Sequence, residues 1–211
     1  MARMLEELII RTLCDTLPAT PADALFLFGQ TEDNQEAAFA AAKLLLQENY
    51  TTKVLFLGTG PMSGYPGGAT WFEAMKALGI PEDSLFQILP VPANTDMLHT
   101  GIEATSMVQH ALAHGYAKVI VTAAPFQQPR AFMAAVTAAL RIYPDLKIYS
   151  LPGKPLPWQQ VAVHSQGKTE STRAGLIAGE MKRIEKYSKQ GDLATVDEVL
   201  KYLNKRDIKE L

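Results

Sequence analysis

The sequence predicts an α/β fold: a mostly parallel five-stranded sheet between two layers of helices, with a helical appendage at its C-terminal end. Five short runs rich in apolar residues lead to this prediction. Several are almost continuously apolar, as strands covered by helices on both faces are. Longer segments with helical periodicity separate the runs. Such a β-α repeat makes the strands parallel, because crossover connections are right-handed.

The predicted elements follow one another in a regular order. The strands are 24–28, 54–57, 85–89, 119–122 and 148–151. The helices are 33–48, 70–78, 96–114, 129–143, 169–189 and 195–204. A segment rich in proline, 152–157, is expected to form an extended loop. We divide the chain into an N-terminal helix at 1–20, an α/β domain at 21–190 and a C-terminal helical tail at 191–211.

Length, charge and cysteine content limit the class of protein. The chain has 211 residues, enough to bury a core, and its formal net charge is -2 with no basic block. We expect no nucleic-acid partner, because phosphate binding needs clustered positive charge. The single cysteine, Cys14, excludes an internal disulfide framework and is expected to be buried in a helix. Because we find neither a secretory signal nor an apolar run of roughly 20 residues, we expect a cytoplasmic protein without a membrane span, and the oligomeric state stays open.

Small polar loops follow the first four predicted strands. In open α/β sheets, ligands bind at these carboxyl ends, where loops meet the positive ends of helices. The candidate ligand-binding residues in the loops are Gly29, Gln30, Gly58, Thr59, Gly60, Asn94, Thr95 and Thr122. Gly58, Gly60 and Gly64 are spaced one residue too far apart for a dinucleotide-binding loop, and no P-loop lysine follows them. The loops therefore predict a polar or anionic ligand without a nucleotide-binding motif.

Some of the polar candidates also have a purely structural interpretation. Thr70 and Glu73 match a capping box, so Glu73 is either a functional carboxylate or part of a helix cap. Asn94 and Thr95 are either ligand-binding residues or the cap of a helix that opens at Asp96. Local sequence leaves both alternatives open.

Arg130 lies in the first turn of a predicted helix beside the expected crevice, where a positive charge opposes the helix dipole. A guanidinium in such a place usually holds a carboxylate or a ligand anion. Glu73 and Glu170 are the candidate carboxylates. The sequence therefore leaves open whether Arg130 binds a ligand or forms a structural ion pair.

Two further patterns predict ordinary structure. Residues 195–198 match a capping box at the start of the last helix. His110 and His114 have the spacing of metal ligands, but no glutamate lies between them and Gly115 follows directly. We expect this pair to lie at a helix end or on the surface, with no metal site.

Six segments of the chain match the motifs of a known family in their order. They are 23–29, 57–60, 70–75, 94–95, 121–131 and 170–191. They comprise two strands that end in glycine, a Thr-Glu helix start, an Asn-Thr pair, a Val-Thr strand end leading to Arg130, and a Glu-x-x-Arg helix with a second glutamate. Together they resemble the YdcF-like family (ElyC/SanA/YdcF, a domain of unknown function) over residues 22–191. The resemblance implies a Rossmann-like three-layer core that binds a small polar ligand, with nucleotide-like molecules such as S-adenosylmethionine as candidates.

Departures from the family pattern fall around the expected crevice. Gln30 replaces the second glycine after the first strand, and residues 97–98 replace a Glu-Asn pair. Gln127 replaces a histidine and becomes a further candidate ligand-binding residue, while no arginine is found near 34–36. The missing histidine and arginine are the groups best suited to acid–base catalysis and to anion binding.

Three functional hypotheses remain open. The first is a protein that binds a small polar or anionic, nucleotide-like metabolite, for which S-adenosylmethionine or a nucleotide is the candidate cofactor. The second is a hydrolase or group-transfer enzyme, with Glu73 or Glu170 as general base and Arg130 stabilising negative charge. The third is an interaction module with a vestigial crevice.

Overall fold

The computed structural model describes residues 2–164 and 168–208, with side chains from residue 4 onward. The elements in chain order are α1 (Ala2–Leu13), β1 (Ala24–Leu27), α2 (Glu32–Gln47), β2 (Val54–Leu57), α3 (Gly68–Ala77), a short 3-10 helix (Glu82–Ser84), β3 (Leu85–Ile88), α4 (Thr100–Ala113), β4 (Lys118–Thr122), α5 (Gln128–Ile142), β5 (Lys147–Ser150), β6 (Val161–His164), β7 (Thr169–Thr172), α6 (Arg173–Gln190) and α7 (Val196–Ile208).

The five predicted strands form one parallel sheet in the order β3-β2-β1-β4-β5, with helices on both sides, which confirms the predicted α/β fold. β1 and β2 are buried along their whole lengths, because both faces of these apolar strands are covered. The chain adds β2 and β3 on one side of β1, then returns to add β4 and β5 on the other. The order thus reverses between β1 and β4, where Leu27 lies beside Thr122. Such a reversal opens a crevice at the carboxyl ends of the strands.

A small hairpin departs from the sequence prediction. β6 pairs with β7 in an antiparallel two-stranded sheet, so the long helix begins at Arg173 instead of 169. The hairpin is held against α2, because the Thr31 hydroxyl donates to the Val163 carbonyl at 2.7 Å and the Val163 amide donates to Asp33 at 2.8 Å. The run Thr-Glu-Ser-Thr is polar enough to open a helix. Its pairing with a distant segment is therefore not visible in local sequence.

The helix starts test the predicted caps. α3 begins at Gly68, so Thr70 lies inside the helix and the predicted capping box with Glu73 is wrong. α4 begins at Thr100 instead of Asp96, which rules out the alternative in which Asn94 and Thr95 cap a helix that opens at Asp96. At the start of α4, His99 Nδ1 accepts from the Ile102 amide at 3.4 Å. The predicted capping box at 195–198 is confirmed by reciprocal bonds of 2.7 Å and 3.2 Å.

The first and last helices meet beside β5. Arg11, on α1, donates to Asp207 at 2.6 Å. Arg206, on α7, is buried, and its two Nη atoms donate to the Asp15 carboxylate at 2.7 Å and 2.6 Å. Asp15 also accepts from the backbone amide of Ser150, so the contact between the two helices is fixed to the end of β5. Cys14 is exposed beyond the end of α1, and its predicted burial is wrong.

Candidate functional site

A cavity of about 170 Å³ opens where the strand order reverses, and we call it the switch-point cavity. Its polar lining includes Gly29, Gln30, His99, Glu103, Gln127, Arg130, His164, Arg183 and Tyr187. These residues come from the loop after β1, from α4 and α5, and from β6 and α6. The cavity therefore lies at the edge of the sheet at which open α/β folds bind their ligands.

One wall of the switch-point cavity is built around a fully buried carboxylate, Glu180. Its oxygens accept from Arg130 Nε at 2.5 Å and from Arg183 Nη1 at 2.8 Å, and His164 Nε2 lies 2.9 Å away. We call these four residues the Glu180 cluster. Burial would raise the pKa of Glu180, but the positive charge of Arg130 and the hydrogen bonds from His164 and Arg130 outweigh it and lower the pKa to about 2. Glu180 is therefore ionised at neutral pH.

Four elements bring the cluster together. Glu180 and Arg183 lie three residues apart on α6, a spacing that places both on one helix face. β6 supplies His164 from the hairpin, and α5 supplies Arg130 from its first turn. Arg130 also donates to the Thr100 hydroxyl at 2.5 Å, at the first residue of α4. The cluster thus joins α4, α5, α6 and the hairpin, and its members other than Glu180 line the cavity.

Arg130 holds a carboxylate, as its position against the helix dipole predicts, but neither predicted partner is the right one. Glu73 lies on α3 with its side chain 72% exposed, and it approaches Lys76 at 3.8 Å. Glu170 is exposed on β7. Both carboxylates lie outside the lining of the switch-point cavity, and the partner, Glu180, follows Arg130 by 50 residues. Sequence separation of this size hides such a pair from local analysis.

A second carboxyl group, Glu103, lies in the first turn of α4 and is only 4% exposed. Its Oε1 accepts from the Gly29 amide at 2.5 Å. Burial raises the pKa of Glu103 to about 7, although the Gly29 hydrogen bond and the charge of Arg130 oppose that rise. Among the described residues, no hydrogen bond to Oε2 is found, and Glu103 lines the cavity. Glu103 is therefore a carboxyl group that can gain or lose a proton near neutral pH.

Close packing around Glu103 explains the glycine at the end of β1. A Cβ on Gly29 would lie 3.1 Å from Glu103 Oε1 and 3.2 Å from the ring of Tyr65. The Tyr65 hydroxyl donates to the Leu57 carbonyl, and burial followed by the nearby charge of Glu103 raises the pKa of Tyr65. Gly29 thus contributes a backbone donor and the room for a carboxyl group.

Two glutamines, Gln30 and Gln127, complete the lining. Gln30 is 2% exposed, and its Nε2 donates to the carbonyls of Phe28 and Gly29, each at 3.0 Å. The two carbonyls fix the orientation of this amide, and its Oε1 has no partner among the residues that the structure describes. The buried Gln127 Oε1 likewise has none within the described ranges. Such buried acceptors are uncommon in proteins, and both belong to residues that line the cavity.

The structure brings together four of the candidates: Gly29, Gln30, Gln127 and Arg130. The others do not line the switch-point cavity; they are Gly58, Thr59, Gly60, Glu73, Asn94, Thr95, Thr122 and Glu170. The hydroxyl of Thr122 is buried and donates to the Leu151 carbonyl at 2.7 Å. Thr95 bonds to Met97 within its own loop. These polar groups satisfy the backbone near them.

The glycine-rich loop after β2 serves close packing between β2 and α3. A Cβ on Gly68 would lie 2.6 Å from the Leu57 carbonyl and 2.8 Å from the Cα of Gly58, both backbone atoms. We expect Gly68→Ala to lower the free energy of unfolding by about 1–3 kcal/mol, because the backbone has to move apart. Urea denaturation measures the loss. The matched control is Gly60→Ala, whose Cβ meets nothing within 4 Å, and an equal loss in both variants would contradict this assignment.

Sequence reasoning missed Glu103, Arg183, His99 and Tyr187 as site residues. The signal for Glu103 is its place three residues after Thr100, in the first turn of a helix that follows a sheet strand. That signal requires the correct start of α4, which the sequence placed at Asp96. For Arg183, the signal is its spacing of three residues from Glu180 on α6.

His110 and His114 stack on each other at the end of α4, with ring centroids 3.9 Å apart. His114 Nδ1 lies 2.8 Å from the His110 carbonyl, as at a helix C-terminus. No group of three or more potential metal ligands occurs within 2–164 and 168–208. The helices in the same ranges are all too short or too polar to cross a bilayer.

Comparisons with other proteins add no relative. No protein-family model matches the sequence, and no curated protein matches it either. The resemblance to the YdcF-like family stays a prediction.

Proposed function

We propose that this chain binds a small anionic metabolite in the switch-point cavity. The observation that carries the proposal is the charge of the Glu180 cluster, in which two arginines face a single ionised carboxylate. The guanidinium of Arg183 uses one nitrogen on Glu180, and no other hydrogen bond to it is found in the described part of the chain. A planar group with free donors in a half-buried wall is well suited to an oxyanion.

The size of the cavity limits what it encloses. Its volume of about 170 Å³ is smaller than the roughly 300–1,000 Å³ of sites for drug-sized ligands, so it holds a head group. A groove of about 550 Å³ between α4 and α5 adjoins it and shares His99, Thr100, Arg130 and Tyr187 with it. A nucleotide-like ligand therefore fits this proposal with an anionic group in the cavity and its remainder along the groove. For S-adenosylmethionine, whose net charge is positive, that group is the carboxylate. Membership of the YdcF-like family is part of the same proposal.

Arg183 offers the cleanest test, because Arg130 also supports the fold through Thr100. We expect Arg183→Met to weaken the binding of sulfate at least about tenfold, since a hydrogen bond to a charged group contributes about 1.5–3 kcal/mol. Isothermal titration calorimetry measures the affinity. Lys182→Met, which removes an exposed charge from the neighbouring residue, is the matched control. Equal losses in the two variants would show general charge attraction instead of a site.

A hydrolase or group-transfer activity on such an anion is the second candidate function, favoured by Glu103. A carboxyl group with a pKa near 7 is well placed to act as general acid or base, and Glu103 faces the same cavity as the arginines. In this candidate, Glu103 takes the role for which the sequence suggested Glu73 or Glu170.

A further inference from the structure

Glu103 lines the same cavity as Arg130, His164 and Arg183 of the Glu180 cluster. The groups that face Glu103 are the Gly29 amide, Tyr65 from the loop before α3, His99 from its own helix start and Arg130 from α5. His164 and Arg183 line the same cavity. An anion that binds to the arginines is therefore confined with the carboxyl group of Glu103.

This confinement makes the ionisation of Glu103 sensitive to the ligand. The bound anion and an ionised Glu103 carboxylate repel each other in a small and poorly hydrated cavity, whose volume is about 170 Å³. Protonation of Oε2 removes the repulsion and creates an O–H group that can donate to an oxygen of the anion. The Gly29 amide still donates to Oε1, so protonation keeps the one hydrogen bond that orients the carboxyl group.

We propose that the switch-point cavity takes up its anion together with one proton, which Glu103 holds on Oε2. The buffer acid in the solvent supplies the proton and becomes its conjugate base, and the O–H group formed on Glu103 donates to the bound oxyanion. This inference rests on the proposed function. It specifies the ligand as a small oxyanion and the binding as coupled to the uptake of one proton.

The acid–base behaviour of Glu103 sets the range in which the coupling shows. Because burial raises its pKa to about 7, Glu103 is mostly ionised at pH 8 and has to gain a proton when the anion binds. Proton uptake therefore approaches one per anion at pH 8 and falls towards zero below pH 6. The affinity decreases up to about tenfold for each pH unit above 7.

The probe is sulfate, which keeps the same charge across this range. We expect calorimetric titrations at pH 8, in two buffers with different enthalpies of ionisation, to show close to one proton taken up per sulfate bound. Glu103→Gln keeps an acceptor for the Gly29 amide and removes the titrating group. In this variant, uptake is lost and sulfate affinity no longer depends on pH. Glu73→Gln, the same change at an exposed position outside the cavity, retains the uptake of the wild type.

The outcomes separate the two proposals. Sulfate binding without proton uptake overturns the role of Glu103 and leaves the proposed function standing. Uptake that persists in Glu103→Gln assigns the proton to His99 or His164 and also overturns it. If the wild type binds no sulfate at any pH, both proposals fail. If Glu103→Gln does not fold, the pH dependence of the sulfate affinity of the wild type serves as the test. A sulfate affinity that stays constant between about pH 6 and 8.5 contradicts the coupling.

Discussion

Replacing Glu180 with glutamine lowers the free energy of unfolding by about 3–5 kcal/mol at neutral pH, the usual cost of removing one partner from a buried ion pair. Glutamine keeps the size of the side chain and removes the charge that Arg130 and Arg183 share. Both guanidiniums then stay poorly hydrated without a counter-charge. Chemical denaturation followed by circular dichroism measures the difference.

The matched control for this substitution is Glu170→Gln, on the exposed face of the hairpin. We expect a change within about 0.5 kcal/mol there, as at most exposed positions. A loss below 1 kcal/mol in Glu180→Gln would contradict this prediction, because it would mean that water or rearranged side chains stabilise the charges of the two arginines without Glu180. The stability from Glu180 is present above its ordinary pKa of 4.5 and is lost as the pH falls towards 2. Glu180→Gln therefore also lacks this part of the acid-induced loss of stability.

The stability of the wild type decreases by about 3 kcal/mol through Glu103 alone as the pH rises from about 4.5 to about 7. The reason is that folding raises the pKa of this carboxyl group from 4.5 to about 7. Between these pH values the group is ionised in the unfolded chain but protonated in the folded protein, so a rise in pH stabilises the unfolded state. Glu103→Gln removes this contribution. The two proteins should be similarly stable near pH 4.5, and the variant more stable at pH 8. Denaturant titrations of both proteins across this range measure the difference.

Glu73→Gln is again the control, because the carboxyl group of Glu73 is exposed, unlike that of Glu103. We expect the free energy of unfolding of this variant to lie within about 0.5 kcal/mol of the wild-type value, as at most exposed positions. A pH-independent difference between Glu103→Gln and the wild type would show that Glu103 titrates normally, with water entering the cavity. Glu103 and Glu180 act in opposite directions, so their joint contribution to stability is greatest near pH 4.5, where the first is protonated and the second is ionised.

The sheet was predictable because its signal is local. Each strand is a short apolar run, and the second was placed at its correct ends, Val54 and Leu57. The hairpin was not predictable in the same way, because β7 is polar and is defined by its partner β6. The start of α4 was misplaced because Asp96 follows an Asn-Thr pair that resembles a cap, whereas the helix begins four residues later.

The candidate site was predicted in part, for the same physical reason. The loop after β1 follows from the topology of a parallel sheet, so Gly29 and Gln30 were found, whereas Gln127 became a candidate only through the resemblance to the YdcF-like family. Arg130 was identified from its conflict with the helix dipole, but its partner lies 50 residues away. Glu103 became significant only through its burial, which depends on packing from several distant segments. Partners and burial are properties of the whole fold.

The contact between the first and last helices has a consequence for synthesis on the ribosome. Asp15 cannot form its ion pair until Arg206 is synthesised 191 residues later, and Arg11 likewise pairs only after Asp207 is synthesised. At about 5–20 residues per second, this delay lasts roughly 10–40 seconds. Throughout that time the apolar face of the helix at 2–13 lacks its final neighbour, so the nascent chain passes through a period in which a molecular chaperone can bind there.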